Sequence, residues 1–138
     1  MYKLVAIEED IMTRYVSLLD LQNNIIENCF DDSELCLEGQ ADFSFMIVGE
    51  TYNCKILLFG RPLKHNEVVS DDCLFCKQSG EIIKLGMYKM KPVQCNTSIY
   101  YIMEKDISKV ENPKEFWFKS SRRDLVQVND VVSARFLR

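Results

Sequence analysis

The stretch YKLVAIEEDIMTRYVSLLDLQNNIIENCF, residues 2–30, contains three successive strand patterns. In each of them apolar, β-branched or aromatic side chains alternate loosely with polar ones, which is typical of half-buried strands. The dipeptide Asn23-Asn24 precedes the third pattern, and asparagine tolerates the left-handed backbone of a tight hairpin. We therefore expect a meander of three antiparallel strands. The expected strands are Tyr2–Ile7, Thr13–Leu21 and Ile25–Phe30.

Further strand patterns follow along the rest of the chain. The clearest is Thr51–Phe59, TYNCKILLF, and the turn residues Gly60-Arg61-Pro62 are expected to end it. A short helical turn is expected at Asp106–Val110. Because no linker-like change in composition divides the sequence, we expect one domain over residues 1–138, all-β and mainly antiparallel. The other expected strands are Glu81–Leu85, Met87–Val93, Ser98–Met103 and Val131–Leu137.

The early meander is followed by Val48-Gly49-Glu50-Thr51-Tyr52, a tight turn that enters a long apolar strand. This order of elements resembles the small β-barrels of the OB type, in which a glycine–acid turn often leads into a strand. The resemblance implies a single, partly open barrel with one or two short helical turns. Many OB barrels bind oligonucleotides, but the fold also serves other functions.

Charge is distributed unevenly along the sequence. Residues 1–50 contain 11 acidic and two basic side chains, and residues 51–138 contain 10 acidic and 15 basic ones, so charges of −9 and +5 add to the −4 of the whole chain. Such an asymmetry usually concerns binding partners more than the fold. It favours a protein whose acidic half meets a basic partner.

The acidic half is centred on Asp31-Asp32-Ser33-Glu34, where we expect the meander to break and the carboxylates to stay exposed. Neither the alternating acids nor the glycine of a calcium loop is present, and a solvated, capped helical turn is the simpler alternative to a binding site. The residues expected to contact a basic protein are Asp31, Asp32, Glu34, Glu27 and Glu38.

A second candidate surface lies in the C-terminal third, where Phe116-Trp117-Phe118 precedes a basic stretch. Aromatic rings beside cations suit base stacking with phosphate contacts, so an OB-type single-stranded nucleic-acid-binding protein is the alternative function. A sequence pI of about 5.1 argues against it, because nucleic-acid-binding domains are usually basic. The residues of this alternative are Trp117, Lys119, Arg122 and Arg123.

Catalytic and metal-binding motifs are not recognisable in the sequence. The six cysteines include Cys73-x-x-Cys76, but zinc would need a matching second pair, and the preceding Asp71-Asp72 would raise a thiol pKa where a redox motif needs a low one. We expect free, mostly buried thiols, with Cys73 and Cys76 on one face of a short strand. The single histidine, His65, is expected in an exposed loop. No catalytic residue, metal or cofactor is predicted.

We expect the start of the chain to be neither a secretory signal nor an anchor, because Glu8, Glu9 and Asp10 interrupt its short apolar run. We therefore expect a cytoplasmic protein with no membrane partner. In size and acidity it resembles bacterial immunity proteins, which neutralise toxin domains such as nucleases. A nuclease has a positive substrate cleft, so an acidic surface can occupy it. The sequence thus predicts a non-catalytic protein-binding module and not an enzyme.

Overall fold

The computed structural model describes residues 1–33 and 42–137, and it confirms the all-β prediction. Eleven strands belong to one sheet, and two 3-10 helices, Glu104–Ile107 and Ala134–Leu137, are the helical elements of the described residues. No helix in these residues is long and apolar enough to span a membrane. The strands are β1 (Tyr2–Glu9), β2 (Arg14–Asp20), β3 (Ile25–Asp31), β4 (Thr51–Tyr52), β5 (Cys54–Pro62), β6 (Cys73–Gln78), β7 (Ile83–Leu85), β8 (Tyr88–Cys95), β9 (Ser98–Met103), β10 (Glu115–Val128) and β11 (Val131–Val132).

The predicted meander is present as β1, β2 and β3, all antiparallel. Asn24 has φ of 55° and allows the tight reversal between β2 and β3. Along each strand the apolar side chains of one face point inward, and Leu4, Val16 and Leu18 are completely buried. Period-2 alternation is a local property, and for this reason the three strands could be predicted from the sequence.

The long strand pattern at residues 51–59 differs from the prediction at both ends. Asn53 separates the two-residue β4 from β5, and β5 then continues through Gly60 to Pro62. Gly60 does not end the strand: it lies so close to β10 that a Cβ at this position would collide with the Lys119 carbonyl oxygen. A glycine was interpreted as a turn signal, whereas the tertiary structure uses it for close backbone approach.

The predicted strand Val131–Leu137 is wrong for most of its length. Only Val131 and Val132 pair with β10, and the chain then forms a 3-10 helix from Ala134. The backbone N–H of Phe136 donates to the Ser133 carbonyl, and this turn buries the Phe136 ring against Tyr88. The helical turn expected at Asp106–Val110 lies slightly earlier, at Glu104–Ile107.

Strand β10 is the centre of the sheet. It pairs with β5, β6 and β11 in antiparallel fashion and with β3 in parallel fashion. The pairings β10–β5, β5–β9, β9–β8, β8–β6 and β6–β10 form a ring of five strands. The meander extends from β10 as a separate arm of the same sheet, through β3. The candidate sites below lie on this arm and along the ring.

The role of Gly60 leads to a stability prediction. Gly60→Ala should lower the free energy of unfolding by more than about 2 kcal/mol, because the added methyl group forces β5 and β10 apart. Gly49→Ala is the matched control: Gly49 has φ of 98° but open space around it, so only backbone strain of about 1 kcal/mol is expected. Urea denaturation of both variants measures the difference. Equal losses of unfolding free energy in the two variants would show that the space between Gly60 and the Lys119 carbonyl oxygen can accept a methyl group.

Candidate functional site

The acidic residues expected on the surface are instead in the interior. Asp31, Asp32 and Glu27 are only 1%, 8% and 5% exposed, so the prediction that they stay exposed is wrong. The physical reason is the strand period, because β3 continues to Asp31 and thus turns Glu27 and Asp31 toward the same inner face. Glu34 and Glu38 lie outside the described residues.

Asp31 is neutralised by Arg14 on the neighbouring strand β2. Arg14 Nε lies 2.7 Å from Asp31 Oδ2, and both side chains are almost completely buried. Arg14 also donates from a second guanidinium nitrogen to the Phe43 carbonyl oxygen. A buried carboxylate is tolerated when a cation and hydrogen bonds replace its water, and Asp31 meets both conditions.

Asp32 belongs to a chain of alternating charges that joins the end of β3 to β10 and the C-terminal 3-10 helix. Arg135 Nη1 lies 3.0 Å from Asp32 Oδ2 and 3.4 Å from Asp124 Oδ2. Arg122 donates two hydrogen bonds to Asp124, at 2.6 and 3.0 Å. Burial raises the pKa of Asp32, and the positive charge of Arg135 opposes this shift.

Glu27 completes the set of buried acids. Its Oε2 lies 2.6 Å from Arg123 Nε, and Oε1 accepts a hydrogen bond from the Tyr100 hydroxyl of β9. Burial first, and the hydrogen bond to Glu27 second, raise the pKa of Tyr100, so the hydroxyl stays a donor. The pairs Glu27–Arg123 and Asp32–Arg135 each join the acidic half of the sequence to the basic half. Part of the charge asymmetry is therefore balanced inside the molecule.

The residues of the nucleic-acid alternative lie on one strand, β10, but they do not form one basic patch. Arg122 is enclosed between the rings of Phe30 and Phe59, 4.5 and 4.8 Å from their centroids, while Arg123 lies over Tyr100. Each of these two arginines is paired with a carboxylate.

Trp117 and Lys119 lie farther along β10, where it pairs with β6. Trp117 is 40% exposed, and its ring centroid is 5.3 Å from that of Phe75. Lys119 Nζ lies 3.9 Å from Asp72 Oδ2. Trp117 is thus still partly exposed on the surface. The three predicted cations, in contrast, each lie beside a carboxylate; they are Lys119, Arg122 and Arg123.

A cluster of exposed acids remains at the turn between β1 and β2. We call residues 8–12, Glu8-Glu9-Asp10-Ile11-Met12, the hairpin tip, and all five are exposed. Ile11 and Met12 are 87% and 56% exposed. The Asp10 N–H donates to the Thr13 carbonyl at 2.8 Å, and the Ile11 N–H donates to Asp10 Oδ1 at 2.7 Å. The tip is therefore a hydrogen-bonded turn that follows the last two residues of β1, Glu8 and Glu9, and it exposes three acids and two large apolar side chains within five residues.

The tip also contains an unusual backbone conformation. Met12 has φ of 62°, in the left-handed region that asparagine and glycine tolerate better than methionine. In the sequence, the acids at residues 8–10 indicate only that a short apolar run is interrupted. Their position at a hairpin turn, directly before exposed Ile11 and Met12, was the signal that could have indicated a surface.

Among the described cysteines, all five side chains are free thiols, and Cys73 and Cys76 have different neighbours. Cys73 Sγ lies 3.4 Å from Ser70 Oγ, whereas Cys76 Sγ lies 3.3 Å from Cys95 Sγ. His65 is exposed in the loop between β5 and β6, as expected. Within residues 1–33 and 42–137, no group of three or more His, Cys, Asp or Glu side chains is placed to hold a metal ion.

Comparison of the chain with protein-family models, with curated proteins and with solved structures finds no match. The resemblances to OB barrels and to immunity proteins therefore have no support from a relative. What the molecule does has to be inferred from the geometry and charge of its own residues.

The buried ion pairs lead to a prediction that separates interior acids from surface acids. Asp31→Ala should lower the free energy of unfolding by about 3–5 kcal/mol, because Arg14 is left buried without its partner. Glu9→Ala, an exposed acid at the hairpin tip, should change it by no more than about 0.5 kcal/mol. Chemical denaturation at neutral pH gives both values. An Asp31→Ala variant as stable as the wild type would mean that the pair contributes nothing to folding.

Proposed function

We propose that this chain is a non-catalytic protein-binding module that binds a basic protein partner through the hairpin tip. A toxin domain with a positive substrate cleft, such as a nuclease, is a partner that suits this surface. Acids at the rim of such an interface mainly accelerate encounter, and apolar side chains at its centre mainly slow dissociation. The tip offers both kinds of group within five residues.

The observation that carries the proposal is the combination of exposure and order at the tip. Ile11 is among the most exposed apolar side chains of the described residues, yet its turn is held by hydrogen bonds on both sides. Met12 keeps a strained backbone conformation, which costs of the order of 1 kcal/mol and is typical of functional turns. A preformed turn loses little conformational entropy on binding, so its apolar contacts contribute more fully to affinity.

The proposed contact differs from the one predicted from sequence. Glu27, Asp31 and Asp32 are paired with arginines inside the fold, so their charge is largely unavailable to a partner. Glu8, Glu9 and Asp10 have no such arginine among their hydrogen bonds or ion pairs in the described part of the chain. We therefore assign the electrostatic attraction to the tip.

For the fold we propose that the ring of five strands is a partly open barrel of the OB type. Two features support this. Strand β10 pairs on both sides within the ring, and its register against β5 shifts twice, between Ser120 and Arg122 and between Leu125 and Gln127. Irregularities of this kind bend a strand and help a sheet to close on itself.

The proposed contact is tested with three tip acids changed together, Glu8→Ala, Glu9→Ala and Asp10→Ala. Once a basic protein captured from a lysate at low salt has been identified and purified, its association rate with this variant should fall about tenfold or more. Ile11→Ser should instead raise the dissociation rate. The control is a triple alanine variant at Glu104, Glu111 and Glu115, acids outside the tip, which should bind as the wild type does. Unchanged rates for the tip variant would refute the proposal.

Single-stranded nucleic-acid binding is kept as the second candidate because Trp117 and Phe75 form a half-exposed ring pair beside Lys77. Our proposal predicts only weak binding of a single-stranded oligothymidylate at physiological salt, with a Kd no tighter than about 1 µM, the tight end of the range of non-specific phosphate contacts. Fluorescence anisotropy measures it. Much tighter binding that Trp117→Ala abolishes, and that Phe45→Ala leaves intact, would favour the second candidate instead.

A further inference from the structure

Two thiols that are 19 residues apart in the sequence face each other across neighbouring strands. In the antiparallel pair β6–β8, Lys77 lies opposite Gln94 and Gln78 opposite Val93, so the next pair in the same register is Cys76 and Cys95. Their Sγ atoms are 3.3 Å apart, and both residues are buried. Cys73 and Cys76, which are close in the sequence, are not the pair of sulfurs that the fold brings together.

The buried pair is within reach of a small molecule from one side. Cys95 lines two neighbouring cavities of about 560 and 600 Å³, which also share Leu74 and Asn96. Cys76 lines neither of them and lies behind Cys95. A small oxidant in either cavity is therefore adjacent to Cys95, whereas Cys76 lines neither cavity and is left as the second thiol.

The electrostatic surroundings favour the same order. The hydrogen bond from the Cys76 thiol, assisted by the positive charge of Arg123, lowers the pKa of Cys95 against the opposing effects of burial and of the Glu27 charge. The same hydrogen bond and burial raise the pKa of Cys76. Cys95 is thus the better nucleophile of the two, because the thiolate is the reactive form.

We propose that Cys76 and Cys95 are a reversible modification site at which a small hydroperoxide forms a disulfide bond. The Cys95 sulfur attacks one peroxide oxygen, the O–O bond breaks, and the products are a Cys95 sulfenic acid and, with hydrogen peroxide as the oxidant, water. The Cys76 sulfur then attacks the Cys95 sulfur, the S–O bond breaks, and the oxygen leaves as a second water with the Cys76 proton. The two thiols lose two electrons and two protons in total, and a dithiol reductant reverses the change.

The disulfide would link β6 to β8, two strands of the ring that pair over only a short length. Strands β6 and β8 are joined in register by only two residue pairs in the described structure. Bringing the sulfurs from 3.3 Å to the bond length of about 2.0 Å requires a movement of roughly an ångström, which small side-chain rotations supply. The bond closes the chain between Cys76 and Cys95 and removes conformational freedom from the unfolded state. The oxidised protein should therefore be more resistant to unfolding.

The test uses the full chain, fully reduced and then treated with a small molar excess of hydrogen peroxide. Wild type and Cys73→Ser, the matched control, should each lose two hydrogens in mass and regain them with dithiothreitol. Tryptic peptides of Cys73→Ser should be linked through Cys76 and Cys95. Cys76→Ser should form no link and should instead keep a sulfenic acid at Cys95 that a 1,3-diketone traps. The melting temperature of the oxidised wild type should be higher by about 5–10 °C.

Two results would contradict the proposed disulfide. A link between Cys73 and Cys76, or an oxidised wild type in which Cys76 and Cys95 stay unlinked, would refute the proposal. The wild-type and Cys73→Ser peptide maps decide this even where a serine variant at Cys76 fails to fold. The result is independent of the hairpin tip, because no tip residue is changed in these proteins.

Discussion

Two buried carboxylates, Glu27 and Asp32, are each held by an arginine of the basic half and connect the meander to the rest of the molecule. Strand β3 pairs with β10 through one residue pair, Asp124 opposite Phe30, so backbone hydrogen bonds alone provide a narrow connection. The pairs Glu27–Arg123 and Asp32–Arg135 reinforce it from two sides. A buried charge pair gives little net stability by itself, but the loss of one partner is costly, so it strongly disfavours other arrangements of the same elements.

Because of these ion pairs, part of the negative charge of the N-terminal half lies in the interior and not on the surface. A sequence charge of −9 over residues 1–50 suggested a broad negative surface, whereas the fold uses Glu27, Asp31 and Asp32 internally. In the described part of the chain the longest run of adjoining exposed acids is Glu8-Glu9-Asp10 of the hairpin tip. A partner would therefore meet a small acidic projection with apolar residues at its end. This geometry suits insertion into a positive cleft better than contact between two flat charged surfaces.

The thiol pair has a different relation to the fold. Cys76 and Cys95 contribute to the main hydrophobic core, as small apolar side chains do. Their proposed chemistry depends on one further feature, which is that Cys95 lines a cavity that Arg123 also lines. Partner binding through the tip and oxidation of the thiol pair use different residues, so the two proposals can succeed or fail separately. If both hold, oxidation would act on the ring of strands while the tip provides recognition.

The sequence by itself determined the local elements. Strands β1, β2, β3 and β9 follow from alternation, and the reversal at Asn24 follows from the left-handed tolerance of asparagine, because both depend on neighbours along the chain. Only the tertiary structure decided that Gly60 lies against β10, that Phe136 ends a turn and not a strand, and that Cys76 faces Cys95. The same holds for the burial of Asp31 and Asp32. Whether a carboxylate is buried depends on a cation that reaches it in space, and for Asp32 that cation is Arg135, at the opposite end of the chain.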